Sequence, residues 1–230
     1  MGKLADSRLL AVAAMIRPGA VAADIGADHG RLICYLVESG IAVRGYACDI
    51  GEGPLASCAN TVVRCGLKEK IELRLTDGLK GLPLGEIDDI IIAGIGGDVI
   101  TRILEAAPQA RDSRLRFILQ PMTRPERLRE SLYRMGYAIE RERGVEAGGF
   151  VYTVMAVSYT GESKNVDELF ALTGLLPGDG GVQSRRLLSL TARRLKKAAE
   201  SLTKASGYEE KAERYTALSR AIDEILREED

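Results

Sequence analysis

Tryptophan is absent from the 230 residues, and phenylalanine occurs only three times. So sparse an aromatic supply argues against a broad stacking platform for single-stranded nucleic acid. There is one histidine, and the four cysteines, at 34, 48, 58 and 65, form no C-x-x-C pair, so no metal is expected. Scattered cysteines suit a reducing, cytoplasmic setting. The N-terminus shows no charged segment followed by a long apolar run, and no stretch approaches about 18 uninterrupted apolar residues, so neither a signal peptide nor a membrane span is expected. Excess charge is also missing: the net is -1, so any contact with nucleic acid has to come from local patches.

What is present is alternation. Apolar residues at helical spacing over 4–17 give a first helix, ended by Pro18-Gly19. Five apolar runs then read as strands, at 20–25, 41–48, 71–75, 87–93 and 115–119, with helices between them and a further helix from Pro125 to Met135. That pattern predicts a parallel, doubly wound α/β sheet. Two β-rich runs, Tyr137 to Val145 and Phe150 to Tyr159, flank Glu146-Ala147-Gly148-Gly149 and read as a closing antiparallel hairpin. Residues 161–182, with Pro177-Gly178-Asp179-Gly180-Gly181, read as a linker between a domain over 1–160 and a second unit over 183–230. In that unit Leu188, Leu195 and Leu202 recur every seven residues, as do Tyr208, Tyr215 and Ile222. The spacing predicts two helices folded back as an antiparallel coiled-coil hairpin.

Chemistry concentrates after the first strand, in Asp24-Ile25-Gly26-Ala27-Asp28-His29-Gly30. A dinucleotide site would need G-x-G-x-x-G and a pyrophosphate at the helix start. This loop is G-x-x-x-G with Asp28 inside it, and two carboxylates repel a pyrophosphate. They attract the ammonium and sulfonium of S-adenosylmethionine. Asp49 ends the second strand, where an acid can hold ribose hydroxyls. Thr76-Asp77-Gly78 ends the third, where Asp77 can accept from the adenine amine. Three strands ending in Asp on one sheet edge make a nucleoside site. Ala93-Gly94-Ile95-Gly96-Gly97 after the fourth strand reads as a floor for a flat base, and Gln120-Pro121-Met122 after the fifth as its other wall. His29 reads first as a residue that braces the loop, and as a base only second. Arg8 lies on the opening helix, which reads first as one packed over a sheet edge; a sharper reading has Arg8 reaching the mouth of the site.

These strings resemble one family. Ala23-Asp24-Ile25-Gly26-Ala27-Asp28-His29, Thr76-Asp77-Gly78-Leu79, Ile92-Ala93-Gly94-Ile95-Gly96-Gly97 and Ile118-Leu119-Gln120-Pro121 are similar to those of the bacterial tRNA adenine-N1-methyltransferases that act on position 22, the TrmK family. The likeness runs from about residue 4 to 160, and the helical pair resembles the family too. Asp49, Ile95 and Met122 stand where the family usually or often has Glu, Met and Asn. The resemblance implies a Rossmann-like class I methyltransferase sheet, S-adenosylmethionine as cofactor, tRNA as partner, and methyl transfer to N1 of an adenine. It puts Asp24, Gly26, Asp28, His29, Gly30, Asp49, Thr76, Asp77, Gly78, Ala93 and Gly94 at the cofactor, with Asp28 as the candidate catalytic group. On the substrate side it puts Arg8, Ile95, Gly96, Gly97, Gln120, Pro121 and Met122. Residues 183–206 hold seven Lys or Arg against one Glu, so Arg185, Arg186, Arg193, Arg194, Lys196 and Lys197 are candidates to grip phosphates. The same charge run also reads as a solvated coil face. The chain is expected to be a monomer or weak dimer. A methyltransferase of another substrate on this scaffold, or a non-catalytic RNA-binding or coiled-coil protein, are the alternatives.

Overall fold

The computed structural model describes residues 4–204 and 206–228; the first three residues of the expected first domain and the last two of the expected second unit lie outside them. Helix α1 (Ser7–Ala13) begins where the Asp6 carboxylate accepts the Arg8 amide at 2.9 Å. It is shorter than the 4–17 expected. Past Ala13 the amides of Met15 and Ile16 bond only three residues back, a tighter turn that Pro18-Gly19 close.

Strands and helices then alternate: β1 (Ala20–Ile25), α2 (Arg31–Glu38), β2 (Ala42–Asp49), α3 (Glu52–Arg64), β3 (Ile71–Leu75), β4 (Asp89–Ile95), α4 (Gly97–Glu105), β5 (Arg116–Pro121) and α5 (Pro125–Arg134). The hairpin β6 (Tyr137–Ala147) and β7 (Phe150–Tyr159) turns at Gly148 and Gly149, both at positive φ. Sheet order is β3-β2-β1-β4-β5-β7-β6. The first five strands are parallel and the last two antiparallel. Ile90, Ile91 and Ile92 of β4 are fully buried because helices cover both faces of this central strand. On one face α1, α2 and α3 pack through Val12, Ile33, Leu36 and Val62. On the other, α4 and α5 pack through Ile100, Leu104, Leu128 and Leu132.

The stretch 161–182 carries two short helices, α6 (Glu168–Thr173) and α7 (Leu176–Asp179). They lead into α8 (Val182–Leu202), which folds back against α9 (Glu209–Glu228). Leu188, Ala192, Leu195 and Ala199 bury the α8 seam against Ala212, Ser219 and Ile222 of α9. Tyr208 precedes α9 and stays half exposed, outside that seam. The pair is rooted on the sheet edge at Gly144, whose amide donates to Ser184 Oγ at 2.6 Å. A Cβ at Gly144 would lie 2.5 Å from the backbone of Gln183 and Ser184, so only glycine permits this approach.

A buried ion pair ties the appendage down. The side chains of Arg129 of α5 and Glu142 of β6 are at most 1% exposed and meet at 2.7 Å. Arg129 also donates to the Ala171 and Leu172 carbonyls; Glu142 accepts from Thr153 Oγ1 at 2.6 Å and the Leu175 amide at 2.9 Å. Arg129→Met strands the Glu142 charge, and the expected loss is about 3–5 kcal/mol, read as a lower urea midpoint. The double variant Arg129→Met with Glu142→Leu should recover most of it; equal losses in both variants would show that packing, not the charge, sets the effect.

Candidate active site

Asp24 is the penultimate residue of β1, between β2 and β4, and is 5% exposed. Its carboxylate accepts no hydrogen bond from the described residues. Burial, and then the neighbouring Asp49 carboxylate, push its pKa up to about 7. An orphaned buried carboxylate facing a second one is costly unless a cation or donor arrives. The loop beyond it leaves room: Gly26 has φ +78° and nothing within 4 Å of where a Cβ would be. Asp28 also sits in the left-handed region, at φ +48°. Its carboxylate is exposed and lies 3.5 Å from His29 Nε2. His29 Nδ1 pairs with Ser57 Oγ at 2.6 Å, which ties the loop to α3.

Asp49 joins two loops. Its carboxylate accepts the Gly51 amide at 2.9 Å and the Asp28 amide at 3.3 Å. Next to it Ile50 is 72% exposed, an apolar side chain left bare at the sheet edge. Thr76 donates its hydroxyl to the Lys80 carbonyl, and Asp77 pairs with Lys80 Nζ at 3.1 Å on the open surface. Among the described residues no cluster of three or more His, Cys, Asp and Glu could hold a metal. Larger cavities, of about 550 Å³ against β2, β3 and α3 and about 590 Å³ among α1, α2 and α3, exclude the strand-end acids.

The wall expected on the acceptor side is built from β4 and β5. The Met122 amide donates to the Ile95 carbonyl at 2.8 Å, and Gly94 at φ +80° opens a bulge between Ala93 and Ile95. Arg8 reaches this wall: its Nη1 lies 2.8 Å from Met122 Sδ, while Asp6 holds Nη2 at 2.7 Å. Pro121 is buried, and Ile95 and Gly96 are partly exposed.

Three residues expected at a ligand are occupied by the protein itself. Gln120 is 1% exposed, accepts the Gly94 amide at 3.1 Å and donates to the Pro121 carbonyl. It braces the wall and does not reach outward. Gly97 is buried, and a Cβ there would fall 2.8 Å from the Arg124 carbonyl oxygen, so it serves the packing of α4. Gly30, at φ +68°, would place a Cβ 2.4 Å from Cys58 Sγ, so its lack of a side chain serves the contact of the loop with α3. On α8, Arg186 is paired with Glu146 at 2.6 Å and Arg185 donates to the Leu226 carbonyl at 3.1 Å. Arg193, Arg194, Lys196 and Lys197 are exposed and make no ion pair among the described residues. Of these six, Arg186 is held at the end of β6 by Glu146, and α8 itself packs on β6, β7, α7 and α9. Ile50 lies outside the residues expected at the site; its signal in the sequence is an apolar residue directly after a strand-end acid.

A family model for a methyltransferase domain matches residues 5–155. The tRNA (adenine(22)-N(1))-methyltransferase of Bacillus subtilis (strain 168) is 38% identical over 173 residues, 75% of this chain and 73% of that protein. The solved structure of the B. subtilis tRNA methyltransferase TrmK superposes with a TM-score of 0.80 at 31% identity, covering 97% of each chain. The Streptococcus pneumoniae protein Sp1610 in complex with S-adenosyl-L-methionine gives 0.77 at 31% identity, over 95% of this chain and 98% of that one. With its strand-end acids set in this sheet, the chain belongs to the tRNA (adenine(22)-N(1))-methyltransferase family.

Proposed function

We propose that this protein is an S-adenosylmethionine-dependent methyltransferase acting on N1 of adenine 22 in tRNA. The observation that carries the cofactor side is Asp24, a buried carboxylate with no hydrogen-bond partner among the described residues, its pKa pushed up to about 7 beside Asp49. It needs a cation, and the ammonium of an amino acid attached to a nucleoside is one. The tRNA target rests on the relatives and their shared fold. Asp24 takes the ammonium, the Gly26 turn gives the backbone close approach, and Asp49 takes the ribose hydroxyls. Asp28, His29 and Gly30 shape this loop. Thr76, Asp77 and Gly78 edge the adenine, with exposed Ile50 against its face. Ala93 and Gly94 lie under the methyl donor.

Bound there, S-adenosylmethionine supplies a methyl group activated by its sulfonium. N1 of neutral adenine carries a lone pair, so no base has to remove a proton first. The work of the protein is positioning and charge. Ile95, Gly96, Pro121 and Met122, with Arg8 above them, hold the base edge-on, and Gln120 keeps that wall in place through Gly94. Asp28, exposed at the mouth, accommodates the positive charge that the base acquires. Residues 1–160 do this chemistry, 161–182 link them to the coil, and the coil over 183–230 carries the tRNA, in a cytoplasmic monomer or weak dimer. Labelled-methyl transfer to an unmodified tRNA transcript, followed by mass spectrometry of the nucleosides, should yield N1-methyladenosine. No such product, together with no cofactor heat in calorimetry, would sink the reading.

A further inference from the structure

The hairpin rises above the site. Leu119 of β5 pairs with Met155 of β7, and β7 is antiparallel, so its first residues project past the carboxyl edge of the parallel strands. At about 3.3–3.4 Å per residue, Phe150 stands about 17 Å beyond that pair. Phe150 and Tyr152 alternate onto one face of the hairpin, the face on which Val154 and Ala156 pack with α1. Their cross-strand neighbours are Ala147 and Val145, too small to cover a ring. Phe150 is left 67% exposed, its ring centroid 6.4 Å from that of Tyr152. The Arg8 guanidinium lies 5.4 Å from the Tyr152 ring and touches Met122 at the acceptor wall. Flat or polarisable groups thus run from Met122 through Arg8 and Tyr152 to the hairpin tip.

We propose that Phe150 and Tyr152, continued by Arg8, form a stacking wall for an unpaired tRNA base next to the target nucleotide. The inference rests on the tRNA methyltransferase reading above and adds a substrate surface to it. A base inside a folded RNA has to leave its stack before a methyl donor can reach its edge. Its neighbour then loses a stacking partner. A ring or guanidinium plane offers a sequence-tolerant replacement, because every base has a π-face. Three phenylalanines and no tryptophan do not make a platform for a long strand, but one exposed ring suffices for one displaced base.

Phe150→Ala and Phe150→Trp in the full chain test this, with fluorescently labelled tRNA titrated by anisotropy and methylation followed in parallel. Phe150→Ala should weaken tRNA affinity and raise KM for tRNA about tenfold, within the range of one lost base stack. Phe150→Trp should restore both. Cofactor affinity and the slope of log affinity against log salt should not change, since stacking releases no counterions. The exposed ring contributes little to the fold, and an unchanged melting temperature checks that. Affinities of both variants within twofold of the parent would overturn the wall. Methylation by the parent chain reports separately on the reading it rests on.

Discussion

Asp24→Ala should abolish measurable cofactor binding, and Asp24→Asn should weaken it by about 100-fold while stabilising the free protein above pH 7. Both effects follow from one buried group. The ammonium-to-carboxylate contact proposed for Asp24 would be charge-assisted and desolvated, and removing one partner of such a pair costs several kcal/mol. In the free protein the same carboxylate is a liability. Its unfolded pKa is near 3.8 and its folded value about 7, raised by burial and by Asp49. Below about pH 4 both states hold the proton. Between 4 and 7 the folded state keeps a proton that the unfolded state has lost, so stability falls as pH rises through that window. Above 7 the penalty is complete, and it is this penalty that Asn removes. Calorimetry should therefore show proton release on cofactor binding at pH 6 that shrinks as pH rises through 7, seen as a dependence of the heat on the ionisation enthalpy of the buffer. Unchanged affinity in Asp24→Ala would mean that the loop has been misread. Unchanged stability in Asp24→Asn would show that the buried Asp24 carboxylate carries no such penalty.

Those acids were legible because strand ends and glycine turns are local. The Ile90-Ile91-Ile92 run announced a strand covered on both faces, and the heptad of α8 announced its partner helix. What stayed hidden depends on contacts distant in sequence. Alternation does not say that β7 inserts between β5 and β6, because either order satisfies a hairpin. It does not distinguish Gly26, which opens space, from Gly97, which closes on the backbone just before α5. Gln120 looked available because a polar residue at a strand end commonly faces a ligand; here the Gly94 bulge takes its oxygen. Residues 161–182 looked like linker because proline and glycine obscure short helices. Yet the carbonyls of Ala171 and Leu172 are bound by Arg129, which belongs to the first domain in sequence. The basic run on α8 was visible as a count, but which cations are spent on the protein was not.

That division sets the second large effect. Changing Arg193, Arg194, Lys196 and Lys197 together to Gln should lower tRNA affinity about 100-fold near 0.15–0.2 M salt, with kcat at saturating tRNA and cofactor affinity unchanged. Arg185 and Arg186 are already engaged, with the Leu226 carbonyl and Glu146. The other four are exposed and unpaired among the described residues. Gln has nearly the helix propensity of Lys and Arg, and these positions lie off the Leu188–Leu195 seam, so the coil should still fold. Each phosphate contact contributes about 0.7–0.9 to the slope of log affinity against log salt, so losing four should flatten it by roughly three. The slope separates this role from a structural one. A coil face that only solvates itself would leave slope and affinity as they were. A coil that merely misfolds would lower affinity through lost shape, with its helical circular dichroism falling alongside. The segregation argues for phosphate contact: seven cations and one anion over 183–206, against four and eight over 207–230, leave the two helices oppositely charged. Attraction between the helices could explain that asymmetry only if the cations faced α9, and these four face solvent.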